Sequence, residues 1–403
     1  MNPARPRPEA GEGRRAPTTL ATLMFITALG GMAMALMAAF ALGGLGLLSL
    51  IDGDDFSALT SLWAMAGSLA VAAALCPAAY WSGRAVLGYP PATRDRPSGW
   101  WLLPILGYPA CLALGWLAHA RGVATLILGP LALIGTACLS VILVGWWVRR
   151  LGPPITPLRA WGHFTIGVTA MPLTATVLEF IAILPLVFVL AAWLLASPEG
   201  QSWMATLEEA SLDPEQAMQT FGAFLRSPFV LISLYGYVAL AIPVIEELIK
   251  TMAVWPFLRR GLSASEAFLG GALGGAGYAL FEALFLTQPG EGWVATTVAR
   301  IGATTLHVFT AALTSYGLMK AFRRKRYAVA VGTFLAAMAM HALWNLAAVT
   351  IGIASVPIAA STPPPLADYS GAAGLLLIIL TAASILGLAF AWGRLARPAA
   401  ERG

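Results

Sequence analysis

The chain has 403 residues, of which 59% are hydrophobic and 11% charged, with a formal net charge of +5 and a mean hydropathy of +0.78. That balance excludes an ordinary soluble domain, where about half the residues are apolar and about a quarter charged. Several apolar runs exceed the ~20 residues a helix needs to cross a bilayer, so the sequence reads as an all-α, multi-pass membrane protein. The basic residues sit in short loops between those runs, a pattern of membrane orientation and not of nucleic-acid binding. Cys76, Cys111 and Cys138 are odd in number and all lie in apolar runs, which argues against a disulfide framework.

Residues 1–17, with Arg5, Arg7, Arg14 and Arg15 among prolines, read as a disordered basic tail on the cytoplasmic side. The apolar run behind them is too long for the hydrophobic region of a signal peptide, so it is expected to be an uncleaved first span. Ten spans are expected, at about 19–50, 58–83, 100–119, 123–148, 164–196, 229–255, 265–287, 294–320, 327–351 and 370–394. The first and fifth exceed a simple crossing and are expected to tilt, to project, or to hide a broken pair.

Loop charge tests this order. The N-terminal tail, Arg84/Arg94/Arg96, Arg149/Arg150/Arg159, Arg259/Arg260, Arg323 to Arg326 and Arg394/Arg397 fall on one side. The alternate loops carry Asp52/Asp54/Asp55, the acidic stretch Glu199 to Glu215, Glu291 and Asp368, with Arg121 and Arg226 as their basic residues. An excess of Lys and Arg marks the cytoplasmic face, so ten spans with both termini in the cytoplasm is the expected topology. The chain then divides into a tail (1–17), five N-terminal spans (18–196), an acidic extracytoplasmic loop (197–228), a four-helix core (229–351), and a last span with its cytoplasmic tail (352–403).

Two stretches have a reading short of chemistry. Within the acidic loop, Met204, Leu207, Leu212, Met218, Phe221 and Leu225 recur at roughly helical spacing, which suits either an interfacial amphipathic helix or a solvated connection. The glycines at 270, 271, 274 and 275 form two overlapping GxxxG patterns. On a spanning helix these mean close helix contact.

Chemistry is concentrated in the sixth to ninth helices. The sixth carries Glu246, Glu247 and Lys250, the seventh Tyr278 and Glu282, the eighth Arg300, Thr304, Thr305 and His307, and the ninth His341 and Asn345. One charge at the centre of a lone spanning helix costs roughly 2.5–3.5 kcal/mol on insertion scales, so these groups must be paired, protonated or turned to a wet cavity. Glu246 and Lys250 share a helix face, as do His341 and Asn345, while Glu247 is turned about 100° away from Glu246. Counted at ~1.5 Å per residue from the expected helix ends, Glu246, His307 and His341 lie about 16, 20 and 21 Å deep, and Glu282 about 27 Å. A carboxylate and two imidazoles at one level suit water activation by a general base with support for an oxyanion. The same groups suit a divalent metal such as zinc, held by three protein ligands with the fourth position left to water. His119 and His163, near span ends, read as satisfied structural histidines; Glu179 reads as an interhelical partner; Arg300 either reaches outward or balances Glu282.

Glu246-Glu-Leu-Ile-Lys250, Gly277-Tyr-Ala-Leu-Phe-Glu282, His307-Val-Phe-Thr-Ala-Ala-Leu313 and His341-Ala-Leu-Trp-Asn345, in this order on successive helices, resemble the motifs of the PrsW-type intramembrane proteases. That family is related to the CAAX prenyl endopeptidases and the bacteriocin-processing membrane proteases. The resemblance spans about 235–350 and implies an intramembrane endopeptidase of the cell membrane acting on membrane-protein substrates. It implies Glu246 and Glu247 as the essential pair, with Glu246 the water activator, and His307 and His341 as the family histidines. It further implies Asn345 as an oxyanion support, Lys250 and Tyr278 as supporting residues, and Glu282, His307 and His341 as ligands if a metal such as zinc is used. Ala283 departs from it, standing where the pattern has a polar residue. A proton- or cation-coupled transporter or channel would use the same buried groups but predicts internal repeats, of which the sequence shows none. An inactive membrane scaffold is the third reading.

Overall fold

A computed structural model describes residues 19–90, 102–119, 124–210, 213–287, 289, 292–356 and 367–395. The basic tail at 1–17, Arg94, Arg96, Arg121, Leu212, Glu291 and Arg397 lie outside the described residues. Fourteen α-helices make up almost all of the described structure, and no strand occurs among them. In chain order they are α1 (Thr19–Ile51), α2 (Asp55–Val86), α3 (Leu102–His119), α4 (Ala124–Leu151), α5 (Pro157–Val168), α6 (Ala170–Ala196), α7 (Pro198–Ala210), α8 (Pro214–Leu225), α9 (Pro228–Tyr235), α10 (Ile242–Lys250), α11 (Ala264–Phe285), α12 (Trp293–Arg324), α13 (Tyr327–Ser355) and α14 (Ala367–Leu395). Eight helical stretches among the described residues are long and apolar enough to cross a membrane, so the fold is a polytopic all-α bundle.

Two expected spans fall outside those eight, each for a different reason. The apolar part of α3 is short, Leu102–Ala118. α12 is long enough, but Arg300, His307 and several threonines lower its apolarity. It needs no apolar surface because it lies inside the bundle: Thr304 to Ala312 is a continuous buried run.

Local departures from the expected helices follow from the sequence. The fifth expected span is two helices, α5 and α6, broken at Thr169, whose φ/ψ of −121°/−77° is not helical. The acidic loop is also helical, as the pair α7 and α8. Arg226 ties its end to α13, donating to the carbonyls of Gly222, Ile353 and Val356 at 2.7, 2.6 and 2.8 Å. The sixth span is the least regular. Between α9 and α10 the residues Gly236–Ala241 form a π-helical turn, and Thr251–Phe257 continue α10 as a 3₁₀-helix.

α11 stands at the centre, with every residue from Ala267 to Leu280 buried. Its start is fixed by a capping box in which Ser263 and Glu266 exchange bonds of 3.1 and 3.0 Å. Arg159 of α5 joins that corner through Glu266 (3.4 Å) and the Arg260 carbonyl (3.0 Å). The glycine stripe is what lets α11 sit so deep. A Cβ at Gly275 would run into the carbonyl of His307 on α12, and one at Gly270 would meet the His163 ring on α5, so the small residues admit both neighbours at once.

Candidate functional site

The site is assembled from α10, α11, α12 and α13 at the middle of the bundle. Glu246, Glu247, Lys250, His307 and His341 are all at most 4% exposed, so none of these groups has bulk water as a partner.

Lys250 offsets one charge of the carboxylate pair. Its ammonium lies 2.5 Å from Glu247 Oε1 and 3.5 Å from Glu246 Oε2, with the Tyr278 ring 5.6 Å away. The geometry follows from helical spacing, since positions i, i+3 and i+4 share a face. Glu247 also meets His341: Oε1 is 3.0 Å from Nδ1. The Lys250 ammonium also lies 3.4 Å from that Nδ1. The shorter contact is to the carboxylate, which when ionised only accepts hydrogen bonds, and it favours the tautomer with the proton on Nδ1 and Nε2 bare. His307 is held in the opposite sense. Its Nε2 lies 2.9 Å from Glu282 Oε2 and donates there, leaving Nδ1 bare. Arg300 completes that side, 3.1 Å from the same Glu282 oxygen; it balances Glu282 and does not reach outward.

The two bare nitrogens point at one place. Glu246 Oε2 is 3.9 Å from His307 Nδ1 and 3.8 Å from His341 Nε2, and the ligand atoms of these three residues all lie within 4.8 Å of one another. Among the described residues, Glu246 Oε2 and His307 Nδ1 have no hydrogen-bond partner. Buried polar atoms are seldom left so. The Lys250 ammonium, 3.5 Å from Glu246 Oε2, reaches neither bare imidazole nitrogen as a hydrogen-bond donor, and the converging lone pairs suit a proton, a water or a cation. Charge points the same way: Glu246, Glu247 and Glu282 outnumber Lys250 and Arg300 by one when the imidazoles are neutral.

This donor set fits a divalent metal. One carboxylate oxygen and two imidazole nitrogens are the ligand types of catalytic zinc sites, and each imidazole has a carboxylate on its other nitrogen, as metal-bound histidines usually do. Of the ligands the resemblance implied, Glu282 faces His307 Nε2, on the side away from Glu246, and the carboxylate whose oxygen converges with the two imidazoles is Glu246.

Asn345 shares a helix with His341 but donates from Nδ2 to the main-chain carbonyl of Val238 at 2.9 Å. His163 is buried and satisfied, its Nδ1 2.7 Å from the Ala253 carbonyl, in line with a structural role. Glu179 Oε1 is buried without a hydrogen bond among the described residues, and the main-chain carbonyl of Glu179 accepts from Tyr237 at 2.8 Å. The Cys76, Cys111 and Cys138 thiols are unpaired.

The depth of Glu282, out of line by residue counting, is reconciled by side-chain direction. Helical side chains lean toward their own N-terminus, and α11 and α12 run antiparallel, so Glu282 and His307 lean toward each other. Counting also underestimated Glu246, because the seven 3₁₀ residues of Thr251–Phe257 rise about 2.0 Å each, not 1.5 Å.

A polytopic helical bundle with a buried Glu–His–His cluster on helices at its centre is the arrangement expected of a hydrolase working inside the membrane. The family model described as PrsW family intramembrane metalloprotease matches residues 160–363, about half of the chain, and the chain belongs to that family. It is by class a membrane protease. The match takes in α5 and α6 as well as the four motif-bearing helices. No curated protein and no solved structure matches the chain.

Proposed function

We propose that the chain is an endopeptidase of the cell membrane that cleaves membrane-protein substrates within or beside the bilayer, with Glu246, His307 and His341 as its reacting centre. The single observation carrying this reading is the convergence of Glu246 Oε2, His307 Nδ1 and His341 Nε2 on one buried point. With no metal bound, Glu246 takes the proton of the attacking water and returns it to the departing amine, the two halves of general acid–base catalysis. Glu247 and Glu282 hold the imidazoles in the tautomers that keep Nε2 of His341 and Nδ1 of His307 turned inward. Lys250 keeps Glu247 ionised and in place. A divalent cation such as zinc would be held by Glu246, His307 and His341, and would polarise the scissile carbonyl and acidify the bound water.

The topology we propose has ten crossings, the eight apolar helical stretches joined by α3 and α12, with both termini cytoplasmic. The acidic helices α7 and α8 then lie on the outer face, and residues 229–351 form the catalytic core. The test is cleavage by purified protein in liposomes. Glu246→Gln, His307→Ala and His341→Ala should each abolish cleavage while the protein still accumulates in the membrane. Full activity in all three would reject the proposal.

A further inference from the structure

The helix bearing Glu246 and Glu247 changes its hydrogen-bond register on both sides of them, and each change leaves one main-chain carbonyl facing a proline. In the π-helical turn the Ile242 N–H donates to the Tyr237 carbonyl, five residues back. The next pair in that register is Pro243 with Val238, and proline has no N–H to give. Asn345 of α13 supplies the missing donor at 2.9 Å. On the other side, a 3₁₀-helix pairs each carbonyl with the N–H three residues on, so the carbonyl of Ala253 faces Pro256. There His163 of α5 is the donor, 2.7 Å away, with its ring packed 4.0 Å from that of Phe257.

The carbonyls of Val238 and Ala253, which these registers set against prolines, are both taken up by side chains of other helices. Between them hangs the nine-residue α10 that carries Glu246, Glu247 and Lys250. Register decides where those side chains point: slipping one residue turns a helix face by about 100°, enough to carry Glu246 off the two imidazoles. A buried carbonyl without a donor is costly, so each clamp favours the irregular register over the regular one.

We infer that Asn345 and His163 are positioning residues that lock the register of the catalytic turn by satisfying the carbonyls that Pro243 and Pro256 leave open. The inference rests on the proposed catalytic part of Glu246. It assigns Asn345 to the enzyme's own main chain and not to the substrate oxyanion. Asn345 acts through Glu246, so its loss lowers turnover per folded molecule and leaves substrate affinity nearly unchanged.

The experiment is a double-substitution cycle on the full-length protein in liposomes, reading kcat, KM and thermal midpoint for Asn345→Ala, Pro243→Ala and the pair. An alanine at 243 restores the N–H that Val238 lacks. Asn345→Ala alone should lower kcat about tenfold with KM within about twofold, and the double variant should return to within about threefold of Pro243→Ala. A double variant no better than Asn345→Ala would overturn the inference, as direct contact of the amide with substrate predicts. If Asn345→Ala does not accumulate, accumulation of the double variant supports the inference and its absence overturns it. Should the wild type cleave nothing, the protease reading fails by itself. The clamp is then decided by the thermal midpoint, which falls in Asn345→Ala and recovers in the pair only if the carbonyl is what Asn345 serves. His163→Ala with Pro256→Ala is the matching cycle at the other end.

Discussion

α1 and α12 are nearly the same length, 33 and 32 residues, yet they solve opposite problems. α1 has no charged residue and turns Leu23, Ile26, Met37 and Phe40 outward. α12 carries Arg300 and His307, buries most of its middle, and is not apolar enough to count among the candidate spans. A helix facing lipid must satisfy lipid; a helix surrounded by other helices must satisfy only its neighbours. Hydropathy therefore finds the wall of this protein readily and its working centre poorly. The charges that weaken the membrane signal of α12 are the ones paired with α11.

Substitutions should separate the two regions by orders of magnitude. The largest effect is expected at the convergence point, where Glu246→Gln or His307→Ala lowers turnover by a factor of about 10³ or more, measured on a reconstituted substrate. Bound metal in the purified protein, read by elemental analysis, should fall from about one per chain to near zero in the same variants; active wild type without stoichiometric metal would leave Glu246 acting on water alone. One step back, Glu247→Gln and Glu282→Gln loosen the imidazoles and should cost about 10–100-fold in activity or metal affinity.

Packing gives the next tier. Leu306→Ala, within the buried run of α12, should destabilise by about 2–5 kcal/mol, and Gly275→Val, which drives a side chain at the His307 carbonyl, by about 1–3 kcal/mol. At the other extreme, Phe40→Ala on α1, a residue 86% exposed, should stay within about 0.5 kcal/mol. Unfolding in bicelles checks all three. Equal losses on α1 and α12 would break the distinction between wall and centre.

Much of the centre was legible because its chemistry is expensive in a membrane. Glu246, Glu247, Lys250, Glu282, His307 and His341 stand out as polar residues in apolar runs, and all six meet in the structure. The glycine stripe of α11 likewise read as close helix contact, which it is. What sequence spacing missed was register. Pro243 and Pro256 were visible, but the π and 3₁₀ turns they accompany depend on donors 107 and 90 residues away. Which imidazole nitrogen Glu282 faces was not legible either, being a matter of side-chain lean between antiparallel helices and not of sequence distance. The break at Thr169 within the over-long fifth span was foreshadowed by length alone.

The central claim is that this buried polar cluster hydrolyses peptide bonds. The most direct measurement compares the membrane proteomes of cells producing the wild type or Glu246→Gln at equal levels. At least one membrane protein should appear as a shortened fragment with the wild type and at full length with the variant. Identical fragment patterns in the two would contradict it.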